Sequence, residues 1–413
     1  YQYIHFKPCA FMTNRLTVTN WFDFINLDNY YLQWTVEANG TAIDSGKLDF
    51  PTIKPHSSVE MEIPFKTIVP DNREYFLKVE ALPRTSLPYA SKGHIAAFEQ
   101  WQLPVAKVEE QPKQAVGEVK VKQTTDAIRF DGKQFTATFS TSNGEMTSLI
   151  YNNKSMILSG LQPNFWRALT DNDVANGTSE RCGTWNNIAK KMNLIDIKVS
   201  NPSTDGNVQL ITKYALPEQE STLDIAYIVC ANGNIRVKMS FVPGNKPLPE
   251  IPRFGMRMIL PKEYDQMSWF GRGPHENYAD RKTSAAIGLY HASVWEQYHP
   301  YVRAQETGNK CDVRRLTLCD TMGNGLLITG AQPLSISAWN FPMEAINYKP
   351  FAVERKHGGS VEKQELVWLN IDMMQMGVGG DNTWGAQVHP EYTITPKAMS
   401  YSFTIQPTKQ ALN

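Results

Sequence analysis

The chain has 413 residues, 41% apolar and 20% charged, with Lys+Arg and Asp+Glu both at 41. A formal charge of zero gives no electrostatic case for nucleic acid or an acidic membrane surface. No run of about 18 apolar residues exists to span a membrane as a helix.

The length corresponds to about two or three domains. The chain opens Tyr-Gln-Tyr-Ile-His-Phe-Lys, without initiator Met or signal peptide. A soluble piece of a longer protein is expected, and a missing signal in a piece says nothing about export, so cytoplasmic and periplasmic locations stay open.

The first hundred residues read as short strands. Apolar and polar residues alternate over Leu32–Glu37, and Asn39-Gly40 follows as a turn. Val59, Met61, Ile63 and Phe65 alternate in the same way, as do Tyr75, Leu77, Val79 and Ala81. Leu16–Thr19 makes a further strand, followed by a loop. Prolines at 51, 55, 64 and 70 punctuate the pattern. About seven strands in about 100 residues predict an immunoglobulin-like β-sandwich over 1–104. The polar stretch that follows contains no aromatic residue over Val105–Glu118. It predicts a linker over 105–122.

Strands resume and continue over 123–413. Phe135, Ala137 and Phe139 alternate before an Asn143-Gly144 turn. Leu223, Ile225, Tyr227 and Val229 face a second strand, Ile235, Val237, Met239 and Phe241, across Asn232-Gly233. That is the clearest hairpin in the chain. One helical face is predicted, on Trp185, Ile188, Ala189 and Met192. The fold class is all-β, and so many strands call for a large two-sheet sandwich after the first one. No phosphate loop, nucleophile elbow or zinc-helix motif is present.

Five scattered cysteines show no metal-site spacing. Cys311 and Cys319 are close enough in sequence for a bridge, but buried free thiols are expected. Asp171-Asn172-Asp173 offers oxygen ligands for Ca²⁺, yet lacks the spacing and closing Glu of a calcium loop. A helix cap is expected there. In Trp269–Arg281, the residues His275, Glu276 and Asp280 could do acid–base work. The alternative is that Glu276, Asp280, Arg272 and Arg281 brace a Gly-Pro turn, and that is the expectation.

Met376–Gly385 carries four glycines in Met-Gly-Val-Gly-Gly-Asp-Asn-Thr-Trp-Gly. It must be a loop. Trp384 at its end lies beside Asp381 and Asn382. An indole on a polar loop can stack on a sugar while carboxylate and amide groups bond the hydroxyls. From the loop alone, the commoner fate of such a tryptophan is to plug the end of a sandwich.

Four ordered motifs carry a resemblance. They are Phe165–Asp173, Trp269–Arg281, Pro300–Asn309 and Met376–Trp384. They resemble the C-terminal small-chain domain of family 2 glycoside hydrolases of the β-galactosidase type. Asn14–Leu82 is similar to the immunoglobulin-like domain that precedes it. The resemblance implies a galactose-mutarotase-like supersandwich for the second domain. It implies a missing (β/α)₈ barrel upstream that holds both catalytic glutamates, so no residue of this chain is expected to be catalytic. The substrate class implied is a β-galactoside or related oligosaccharide. Trp384 becomes a substrate-binding residue, supported by Asp381 and Asn382. No metal site or cofactor is expected in this chain, although the parent enzyme is expected to need Mg²⁺, Na⁺ or Ca²⁺. Arg303-Ala304 departs from a Phe-Pro pair that helps hold Na⁺ in that type, so that ion is not expected. Two other classes share the fold. One is an aldose 1-epimerase, with His275, His299, Glu276 and Glu306 as candidate acid and base; the other is a non-catalytic carbohydrate-binding module.

Overall fold

The structure, a computed structural model, describes residues 1–9, 14–105, 117–347 and 357–412. It divides into two compact units, Tyr1–Pro112 with Ala286–Leu289, and Lys113–Ala285 with Tyr290–Leu412. Most of the predicted linker, 106–116, lies outside the described residues, and a strand begins at Lys120.

Among the described residues, the first unit has seven strands in two sheets. Ile4–Pro8, Arg15–Asn20 and Ser58–Glu62 form a three-stranded sheet. Thr41–Asp49, Tyr30–Ala38, Tyr75–Pro83 and Ala97–Gln102 form a four-stranded one. Alternation dictates the packing: Leu32, Trp34 and Val36 are buried, as are Leu77 and Val79 on the neighbouring strand. Asn39 and Gly40 both have positive φ, 49° and 87°, as a tight hairpin turn requires. Gly46 lies opposite Trp34, and a Cβ there would sit 2.7 Å from the indole. The missing side chain makes room for the ring. Truncating Trp34 to alanine would cost about 3–5 kcal/mol.

The second unit is the expected large supersandwich. A five-stranded sheet runs from Lys120–Gln123 to Lys154–Ser155, and the other sheet gathers twelve strands among the described residues. The predicted hairpin is there: Ser221–Val229 pairs with Ile235–Val242, with Val229 opposite Ile235. Residues of both sheets form one apolar core, from Phe139 and Leu149 to Ile225, Met239 and Phe403.

The predicted helical face is broken. Trp185 ends a 3₁₀ turn, Gly183–Trp185, and Ile188–Lys191 is a separate single-turn helix. Asn186 is extended and Asn187 has φ 58°, so the chain turns between the two. Trp185 and Ile188 are nevertheless both buried. Asp171–Ala175 and Thr178–Arg181 add two more short helices. All five cysteines are free, and Cys311 and Cys319 are buried.

Candidate functional site

The glycine loop follows directly from the strand Leu366–Gln375, and its stem is fixed from two sides. The first support comes from Phe165–Asp173. Thr170 caps the helix Asp171–Ala175 in a reciprocal box: Asp173 N donates to Thr170 Oγ1 at 3.1 Å, and Thr170 N donates to Asp173 Oδ2 at 3.0 Å. The same carboxylate takes Arg167 through both oxygens, from Nη2 at 2.8 Å and Nε at 3.0 Å. Arg167 is fully buried, and its remaining donors go to the loop. Nη2 meets Gly377 O at 2.8 Å and Nη1 meets Met376 O. Asn172 Nδ2 donates to Val378 O at 3.1 Å. The expected cap is therefore what Asp171-Asn172-Asp173 forms. Asp173 is committed to the helix cap and Arg167, Asn172 to the loop, and Asp171 to Gln305 and Arg303.

The second support is Asp280. Its Oδ1 accepts from Val378 N at 3.0 Å and its Oδ2 from Gly379 N at 2.6 Å. The approach explains the glycines, because a Cβ on Gly377 would lie 2.7 Å from Asp280 Oδ2 and one on Gly379 3.0 Å from it. Glu276 is committed as well, accepting from Thr307 Oγ1 at 3.1 Å, Gly308 N at 2.8 Å, Tyr301 OH and Arg281. Burial would raise its pKa, but Tyr301, Gly308, Arg281 and Thr307 together hold it below the ordinary glutamate value. The bracing expected of this turn is present. Arg272, however, pairs with Asp312 at 2.5 Å and with the carbonyls of Lys282 and Ala285, not with Glu276 or Asp280.

The tip is different. Trp384 is 91% exposed, so it does not plug a sandwich. Asn382 Oδ1 accepts from Trp384 N at 2.9 Å and Ala386 N at 3.4 Å, which shapes the turn beneath the indole. Asp381 bonds His389 Nε2 at 2.9 Å, and that carboxylate raises the imidazole pKa. Trp384, Asp381 and Asn382 thus share one exposed tip on a clamped stem.

Three of the four epimerase candidates share one cleft, where Glu276 is already bound by Tyr301, Thr307, Gly308 and Arg281. His275, His299 and Glu276 line one cleft, while Glu306 lines a smaller neighbouring cavity. Sequence reasoning missed Arg167, Arg253, Asp372 and Lys310. The available signal was a charge inside an apolar run, Arg167 after Phe165-Trp166 and Asp372 within Leu369–Met374.

Two compact β units, the second bearing an exposed indole on a clamped loop, define an all-β protein. The family profile described as "Beta galactosidase small chain" matches residues 131–405, and "Beta-galactosidase, domain 4" matches residues 16–104. The chain belongs to the β-galactosidase small-chain family. It is 33% identical over 397 residues to a protein named Beta-galactosidase from Priestia megaterium, covering 95% of this chain and 37% of that protein. A Beta-galactosidase from Lactobacillus delbrueckii subsp. bulgaricus is 30% identical over 393 residues, covering 93% of this chain and 37% of the relative. The chain thus spans about 37% of the length of these curated relatives. A solved putative mutarotase from Salmonella typhimurium is 12% identical with a TM-score of 0.36, over 73% of this chain and 97% of its own. That likeness is too slight to bear on function.

Proposed function

We propose that the chain is the C-terminal part of a retaining β-galactosidase-like hydrolase and lines its sugar site with Trp384. Retaining hydrolysis needs two carboxyl groups about 5–5.5 Å apart across the scissile bond. In this reading an upstream barrel in the parent protein supplies both, and this chain alone is inactive. The proposed division is a sandwich over 1–104, a linker over 105–122 and the small-chain domain over 123–413. The observation that carries the reading is the 91% exposed indole at the end of a loop fixed by Arg167 and Asp280. A fixed aromatic face binds a sugar's C–H face without first being ordered, and Asp381 and Asn382 lie within the same tip to meet hydroxyls. Stacking of this kind contributes on the order of 1–2 kcal/mol.

The test uses the full-length parent protein. Trp384→Ala should raise KM for a β-galactoside or a sugar acceptor about tenfold. Unchanged kinetics would remove the binding role. The isolated chain should not hydrolyse a nitrophenyl β-galactoside, and turnover proportional to purified chain would place the chemistry within it.

A further inference from the structure

Lys310 opens the strand Lys310–Cys319 and is 1% exposed. Its ammonium donates to Gly308 O at 3.1 Å and lies 5.3 Å from the centroid of the Trp269 ring. A lysine ammonium has three N–H donors. Only one finds a hydrogen-bond acceptor among the described residues, and no carboxylate there lies within ion-pair distance. A buried charge so poorly matched is costly unless something else meets it. Burial accordingly pulls the Lys310 pKa down to about 8, against an upward pull from Glu276 and Cys311.

Although almost closed off from solvent, Lys310 borders a cavity. It forms part of the wall of a cleft of about 360 Å³, with His275, Ser284, Gln297, Tyr298, His299 and Tyr301. That volume lies in the range of small-molecule sites, about 300–1,000 Å³. The carboxylates of the wall are occupied elsewhere. Glu276 is bound by Tyr301, Thr307, Gly308 and Arg281, and Glu296 accepts from Ser293 N at 2.7 Å and Ser293 Oγ at 2.8 Å. His275 Nε2 and Ser284 Oγ, 2.9 Å apart, offer a polar edge, and Tyr298 and Tyr301 offer ring surface. An anion would meet the unmatched ammonium. Hydroxyls would meet the His275–Ser284 edge, and a pyranose ring would cover tyrosine.

We propose that this cleft is a binding site for a carboxylate-bearing sugar of the hexuronic-acid class, with Lys310 as the carboxylate anchor. None of Trp384, Asp381 and Asn382 lines it. The site stands whether or not the glycine loop contacts substrate.

The test is titration of the full chain at pH 7 with D-galacturonate, D-galactose and acetate, followed by calorimetry or saturation-transfer NMR. Galacturonate should bind at least about tenfold more tightly than either control, and Lys310→Met should remove that margin. Equal binding of galactose and galacturonate, or unchanged binding by Lys310→Met, would overturn the carboxylate anchor. Equal binding of acetate would overturn the sugar. A second measurement needs no variant: cyanate carbamylation of Lys310 in the wild-type chain, read by peptide mass spectrometry. Galacturonate should slow it several-fold and galactose should not. A Lys310 rate indifferent to galacturonate overturns the proposal even if Lys310→Met fails to fold.

Discussion

Arg167 and Arg253 are both fully buried in the second unit, yet their surroundings differ in kind. Arg167 faces one carboxylate, Asp173, in a two-point pairing, and its other donors end on two loop carbonyls. Arg253 faces two carboxyls. Nη2 lies 3.2 Å from Glu306 Oε1, and Nε lies 3.2 Å from Asp372 Oδ2 at an angle that makes no hydrogen bond. Its Nη1, both Asp372 oxygens and Glu306 Oε2 are without hydrogen-bond partners. Burial pushes Asp372 up to about 7, with Arg253 opposing and Glu306 adding to the shift. Burial also pushes Glu306 upward. The lesson is one of stoichiometry. A buried arginine matched one-to-one and capped by backbone acts as a fixed strut, whereas one arginine shared by two carboxyls leaves a proton to settle the balance.

The largest expected effect comes from breaking the matched pair. Arg167→Met leaves Asp173 charged and buried and frees the loop carbonyls. It should destabilise the chain by about 3–5 kcal/mol in urea denaturation. Hydrogen exchange across Met376–Gly379 should accelerate more than in the sheets. The unmatched cluster should respond to pH instead. Between pH about 4, the ordinary aspartate value, and about 7, the folded state holds a proton on Asp372 that the unfolded state has lost. Stability therefore falls as pH rises through that window, by on the order of 2–4 kcal/mol. Asp372→Asn should flatten the fall. A wild-type stability that rises from pH 4 to 7 in step with the Asn variant would refute the assignment. A smaller effect is expected at the other loop support. Asp280→Asn keeps one acceptor and loses the charge, costing about 1–2 kcal/mol, with faster exchange at Val378 and Gly379.

These supports also mark where sequence reading runs out. The hairpin around Asn232-Gly233 was legible because alternation and turn chemistry are local, and the strands at Leu16, Leu32, Val59 and Tyr75 were legible for the same reason, whereas Ile4–Pro8, Thr41–Asp49 and Ala97–Gln102 entered only as part of a strand count. The helical face at Trp185 and Ile188 was misread because burial of both residues does not need a helix between them; Asn186 and Asn187 supply a turn instead. The glycines of the loop were legible as glycines, but their reason was not. Asp280 reaches Val378 across 98 residues, and Arg167 reaches Met376 across 209. No local period encodes such pairs. Asp372 and Arg167 did announce themselves as charges among apolar neighbours, a signal that points to burial without naming the partner.

The smallest expected effect separates the stem of the loop from its tip. Trp384→Ala removes the largest side chain of the loop, and a buried tryptophan would cost about 3–5 kcal/mol when truncated. At 91% exposure the change should alter stability by no more than about 0.5 kcal/mol, because little apolar surface is taken from water in the fold. The contrast with Arg167→Met is the point: one residue holds the loop while touching no solvent, and the other meets solvent while holding nothing. Fluorescence offers a second check within a chain of ten tryptophans. The variant should lose the red-shifted, most readily acrylamide-quenched part of the emission and keep its urea midpoint. A stability lowered by more than about 1 kcal/mol would mean that the indole packs against the chain, and its availability to a sugar would have to be abandoned.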